Sequence, residues 1–211
     1  MEANPPSARN RLLDAALRMI RARGYGATTV DDLCAEAGVT KGSFFHHFRS
    51  KEDMVLAAVE RWNELTAELF ERAPFQSLAD PCDRVLGYID FRRQILCGEA
   101  PDYTCLLGTL VQETFVSHPR IRGACDAGID AHVRGVGRDI AAAKARTAPD
   151  AAWEPQELAY YTQATLQGAF ILAKAQGSPA IAGLCIAHLR QHVANLLGAA
   201  TGPARTEERK P

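Results

Sequence analysis

The chain has no run of uncharged apolar residues long enough to cross a bilayer. Asp14 and Arg18 interrupt the N-terminal stretch where a signal peptide needs an apolar core, so a cytoplasmic location is the expectation. The six cysteines, Cys34, Cys82, Cys97, Cys105, Cys125 and Cys185, contain no C-x-x-C pair. That spacing argues against a compact zinc site and against a secreted disulfide framework. Most are expected to be small buried hydrophobes, with a redox-sensing pair left open. An excess of charge is missing too, the formal net charge being −1. Up to residue 55, eight Lys and Arg stand against seven acids, a balance of +1 that leaves −2 for the rest. Charge alone therefore cannot assign a polyanionic partner.

Catalytic and cofactor motifs are equally scarce. The sequence has no G-x-S-x-G, P-loop, H-E-x-x-H or G-x-G-x-x-G, so neither an enzyme nor a cofactor is expected. His46 and His47 are neighbours, which a helix points about 100° apart. His188 and His192 lie one turn apart, but only Cys185 is near enough in sequence to join them. They read as surface or interface histidines, and no metal is expected.

What the sequence has in quantity is apolar residues at helical spacing. They recur in Leu12, Leu13, Ala16, Leu17 and Ile20, in Met54, Val55, Ala58, Trp62, Leu65 and Leu69, and in Leu158, Thr162, Leu166, Phe170 and Ala173. A last set is Ile181, Leu184, Cys185, Leu189, Val193 and Leu196. No alternation bounded by hairpin turns accompanies them, so the chain reads as all-α with about nine helices and no sheet. Ser7, Thr29, Thr40 and Ser50 are placed to cap the first four helices. Gly24 and Gly38 end the first two, and the fourth runs to about Ala73. Proline at the first helical position marks later starts at Pro81, Pro119, Pro155 and Pro179. Residues 98 to 102 read as a loop before a helix from about Tyr103 to Ser117.

Residues 27 to 53, ATTVDDLCAEAGVTKGSFFHHFRSKED, carry the functional information. They read as a short helix, a turn through Gly38-Val39, and a second short helix. Leu33, Ala37, Val39, Phe44 and Phe48 are spaced to bury one seam. Thr40, Lys41, Gly42, Ser43, Phe45, His46 and His47 then form the outer side, whose first residues a helix-turn-helix presents to base edges. Gly42 is a poor helix former, which makes sense if the backbone must approach another surface closely. Thr29, Ser50 and Lys51 put helix N-termini where phosphates can bind. The alternative is an ordinary helical hairpin with a solvated polar face.

The run V-T-K-G-S-F-F-H-H-F-R-S-K-E-D resembles the recognition segment of the TetR family of bacterial repressors. The resemblance covers about residues 8 to 56, and C-L-L-G-T-L-V-Q-E at 105 to 113 looks like a segment of the family's regulatory domains. It implies a DNA-binding transcriptional regulator, and places Thr29, Thr40, Lys41, Gly42, Ser43, Phe45, His46 and Lys51 at positions that usually meet DNA. Phe45 stands where the family usually has tyrosine, so one phosphate contact is lost or replaced by contact with a thymine methyl.

The resemblance also implies a division into a DNA-binding head (residues 1–55) and an effector-binding and dimerisation domain (56–200), while residues 201–211, polar and ending in proline, are expected to form a frayed tail. Trp62, Tyr88, Phe91, Arg92, Leu110, Gln112, Phe115 and Phe170 are the candidates to line an effector cavity. Tyr88, Arg92, Gln112 and Glu113 could equally lie on the surface. Leu166, Ala169, Ala173, Leu184, Leu189, His192 and Leu196 on the last two helices are candidates for an isologous homodimer interface, with intramolecular packing as the alternative. The partners implied are a palindromic double-stranded DNA operator and a small-molecule effector of unknown identity.

Overall fold

A computed structural model of the protein describes residues 6–198. Among them are ten α-helices, one 3-10 turn and no strand. The helices are α1 (Ala8–Arg23), α2 (Val30–Ala37), α3 (Lys41–His47), α4 (Lys51–Glu71), α5 (Pro81–Gln94), α6 (Ala100–Tyr103), α7 (Leu106–Thr114), α8 (Pro119–Thr147), α9 (Pro155–Gln176) and α10 (Ala180–Leu196). The 3-10 turn, Pro74–Ser77, follows α4. The all-helical reading is correct and the count is one short. The segment read as a loop before Tyr103 contains α6, capped by reciprocal bonds between Glu99 and Asp102. The helix expected from Tyr103 to Ser117 is confined to Leu106–Thr114. The frayed tail expected at 201–211 lies outside the described residues.

The caps explain the starts. Ser7, Thr29, Thr40 and Ser50 each accept a bond from the backbone N–H three residues on. Thr29 and Asp32 complete a reciprocal capping box. Gly38 ends α2 in the left-handed region, at φ +61°, which lets the chain turn into α3 within three residues.

Two apolar cores share the molecule. The first packs Leu12, Leu13, Leu17 and Ile20 of α1 against Leu33, Phe44, Phe48, Met54 and Val55, as their spacing predicts. It does not stop at the first four helices. Leu106, Leu107 and Leu110 of α7, with Ile121 and Cys125 of α8, belong to the same cluster. The second core joins α5, α8, α9 and α10 through residues such as Val85, Ile89, Val133, Ile140, Leu166, Phe170, Ile186 and Val193. Helix α4 serves both: Met54 and Val55 are buried in the first core and Phe70 in the second.

Candidate nucleic-acid interface and regulatory cavity

Helices α2 and α3 meet at a tight turn in which the Val39 N–H donates to Cys34 O at 2.9 Å and the Gly38 N–H to Ala35 O at 3.2 Å. Only Phe44 is buried within the seven residues of α3; it and Phe48, with ring centroids 5.7 Å apart, fix the helix to the core. Lys41, Gly42, Phe45, His46 and His47 are exposed and Ser43 is partly so. Phe45 is 57% exposed, a large aromatic ring facing outward from a well-packed head. A Cβ on Gly42 would meet only Thr40 Oγ1, at 3.7 Å, so nothing inside the chain requires glycine there. Among the described residues, Arg49, exposed just before α4, has no acidic partner and was not singled out from the sequence.

Three of the expected contact residues are already engaged within the chain. Lys41 pairs with Asp31 of α2 at 2.7 Å, both side chains well exposed. Thr29 donates both its N–H and its hydroxyl to Asp32, at 2.9 and 2.7 Å, so neither donor is free. Lys51 departs furthest from expectation. Its ammonium donates to Tyr25 O at 2.8 Å and Thr28 O at 2.9 Å, and sits 3.8 Å from the centre of the Tyr25 ring. Burial there pushes its pKa down. Lys51 is a clamp on the α1–α2 turn, placed inward because α4 starts directly beneath that turn.

The same turn is tied to the rest of the molecule. Glu113 of α7 accepts the Gly26 N–H at 2.8 Å, and the Tyr25 hydroxyl lies 3.1 Å from His118 Nε2 at the start of α8. Glu113, a candidate pocket or surface residue by sequence, therefore ties α7 to the turn between α1 and α2.

The candidate cavity residues do not come together. A cavity of about 600 Å³ lies between α4, α5 and α8, lined by Tyr88 among others. An adjoining space of about 100 Å³ is lined by Trp62 and Arg92, and shares Asn63, Thr66, Phe70, Gly128 and His132 with the larger one. Phe170 and Gln112 line a separate pocket of about 300 Å³ beneath the α1 terminus, and Phe91 lines an open one beside Leu69. Two expectations are corrected outright. Leu110 is wholly buried in the first core, and Phe115 is exposed on the surface after α7. Helical spacing could not distinguish these cases, because it gives a face but not which neighbour covers that face.

Inside the paired cavities Tyr88 Oη lies 2.9 Å from His132 Nε2. Burial, with Arg92 adding repulsion, lowers the His132 pKa to about 4. No sequence signal marked His132 or Gln163, which lines the smaller space. On the last two helices the expected interface is also corrected. Leu166, Ala169, Ala173 and Leu189 are buried within the chain itself and cannot meet a partner. Leu184, 60% exposed, and His192 remain on the surface, beside exposed Tyr161 and Leu172. On α9 the outward stripe thus lies around the helix from the one expected, whereas on α10 Leu184 and His192 are exposed as expected and Leu196 is partly buried. Of the cysteines, Cys34, Cys82 and Cys125 are buried, Cys105 and Cys185 are partly buried, and Cys97 is exposed. Burial pushes the Cys125 thiol up to about 12, which keeps it protonated.

Residues 12–58 match the family model described as bacterial regulatory proteins, tetR family. The transcriptional regulator AcuR of Cereibacter sphaeroides is 27% identical over 172 residues, covering 82% of this chain and 78% of that one. The HTH-type transcriptional repressor KstR2 of Mycolicibacterium smegmatis is 49% identical over 53 residues, 25% of this chain and 26% of that one. The crystal structure of a regulatory protein TetR from Rhodobacter sphaeroides superposes with a TM-score of 0.75 at 25% identity, over 88% of this chain and 98% of that one. The helix-turn-helix segment thus matches that of the TetR family of DNA-binding transcriptional regulators, and the chain is similar to such regulators along most of its length.

Proposed function

We propose that the chain is a homodimeric repressor whose two α3 helices read a palindromic operator and which a small-molecule effector releases from it. The observation that carries this reading is the exposed face of α3. Thr40, Lys41, Gly42, Ser43, Phe45, His46 and His47 present donors, a cation and an apolar ring, around a glycine that packing does not demand. Lys41 and Arg49 supply charge for phosphates or guanine, and Phe45 an apolar surface for a thymine methyl. A seven-residue helix makes few contacts alone, so two copies set about one turn of DNA apart are needed for specificity. The stripe of Tyr161, Leu172 and Leu184 offers the surface through which α9 and α10 would form that dimer.

Effector control is supported by the connections between cavity and head. Helix α4 lines the cavity with Asn63, Thr66 and Phe70 and carries Lys51 at its other end. Helix α8 lines it with Gly128 and His132 and begins at His118, against Tyr25. A ligand that favours one spacing of α4 and α8 shifts the population of head positions by its differential affinity. The test is operator binding by Lys41→Ala and His46→Ala. Each weakens binding about tenfold, one lost contact of about 1.4 kcal/mol, with thermal stability unchanged. Parent-like affinity in both variants means that α3 is not the reading helix.

A further inference from the structure

The smaller of the two joined cavities holds an unusual pair of groups. Arg92 of α5 reaches it with its guanidinium close to two rings, 5.3 Å from the centre of Phe70 and 5.4 Å from that of Phe170. Its Nε–H is buried with no acceptor, and no carboxylate pairs with it among the described residues. Asp102 also lines the cavity, but its carboxylate is turned to accept the Glu99 N–H at 2.8 Å. Facing the same space, Gln163 of α9 is only 9% exposed, and its Oε1 is buried with no donor. A donor on a cation and an acceptor on an amide are thus both left unmet in one space, although each costs free energy when unpaired and buried. Ligand pockets are recognised by such a few convergent polar groups among apolar walls.

Resting on the effector reading above, we infer that the ligand is a small organic carboxylate that also carries a hydrogen-bond donor. Its carboxylate accepts from Arg92 and its hydroxyl or amide N–H donates to the Gln163 oxygen. A guanidinium held close to two rings is partly preorganised for a planar carboxylate and loses less side-chain freedom on binding it. The shared wall of Thr66, Phe70 and His132 lets a short apolar tail extend into the larger chamber, against Phe75 and Val85. A cationic ligand is disfavoured by the same unpaired guanidinium. His132 adds no competing charge above about pH 4, because burial and Arg92 keep it neutral there.

The test is calorimetric titration of the full-length protein with lactate, 3-hydroxybutyrate, butyrate, 1,3-butanediol and tetramethylammonium. The hydroxy acids bind most tightly, butyrate more weakly, and the diol and the ammonium ion not at all. Arg92→Gln weakens the hydroxy acids about tenfold or more, Arg92→Lys retains part of the affinity, and Gln163→Leu levels the hydroxy acid with the plain acid. Melting curves confirm that the compared variants are folded, and Arg92→Lys keeps the comparison open if Arg92→Gln is not. The inference is overturned if diol or ammonium binds as tightly as the acids. It is also overturned if folded Arg92→Gln binds like the parent, or if no acid binds at about 10 mM, below which affinity is negligible. Operator titration separates the two readings. Arg92-dependent binding with unchanged operator affinity upholds the ligand class and removes the effector role. Release by a compound that is not a carboxylate does the reverse.

Discussion

The Glu113 carboxylate accepts the Gly26 N–H at 2.8 Å, joining α7 to the turn between α1 and α2. The contact depends on Gly24. Its φ is +91°, in a region L side chains avoid, and a Cβ there would overlap the same carboxylate. Replacing Gly24 by alanine therefore strains the backbone and displaces Glu113 together. Gly24→Ala costs about 1–3 kcal/mol, a fall in Tm of several degrees for a chain of this length. Glu113→Ala, losing one exposed bond, costs under about 1 kcal/mol. Thermal denaturation of the two variants checks the order; equal losses contradict it.

Lys51 distinguishes a structural clamp from a phosphate contact. Its two bonds to Tyr25 O and Thr28 O predict that Lys51→Met destabilises the fold by about 1–3 kcal/mol. The salt slope of operator binding stays as it was, because no released counterion is lost. A direct phosphate contact gives the opposite pair of results, unchanged stability and a slope reduced by about one.

Asp31 of α2 pairs with Lys41 of α3 at 2.7 Å. Freed from that pair, Lys41 meets DNA without first breaking an ion pair, and one negative charge leaves the approach surface. Asp31→Asn accordingly tightens operator binding by a few-fold, most strongly at low salt. Anisotropy titrations at two salt concentrations measure it, and weaker binding contradicts it.

His132 sets an acid limit on stability. Its folded pKa of about 4 lies below the ordinary value of 6.5, lowered by burial and by Arg92, so below pH 6.5 the unfolded chain takes up a proton that the folded chain refuses. This contribution is complete above about pH 6.5 and is lost as pH falls towards 4, by up to about 3 kcal/mol. Urea unfolding of the parent and His132→Gln at pH 7 and pH 4.5 checks it. The variant loses less stability over that interval than the parent.

Much of this architecture is legible in the sequence, for identifiable reasons. Ser7, Thr29, Thr40 and Ser50 cap where their spacing predicts, because capping is local chemistry. Phe44 and Phe48 are buried and His46 exposed, because a short helix against a small core has one possible inward face. The long helices are harder. Helix α9 is covered on one side by α8 and on another by α10, so Leu166, Ala169 and Ala173 are consumed inside the chain and the free stripe lies elsewhere. Lys51, Glu113, His132 and Gln163 owe their roles to partners between 23 and 87 residues away or to an enclosed space. No local pattern records such partners.

Selection of bound sites from random duplex DNA, run in parallel with the parent and with Leu184→Arg, addresses the reading of α3 and its twofold repetition together. The parent enriches an inverted repeat whose half-sites are separated by about one helical turn or a small multiple of it. The charged substitution on the exposed α9–α10 stripe leaves the fold intact and abolishes that enrichment. Recovery of no common sequence by the parent, or of the same inverted repeat by both proteins, contradicts the account.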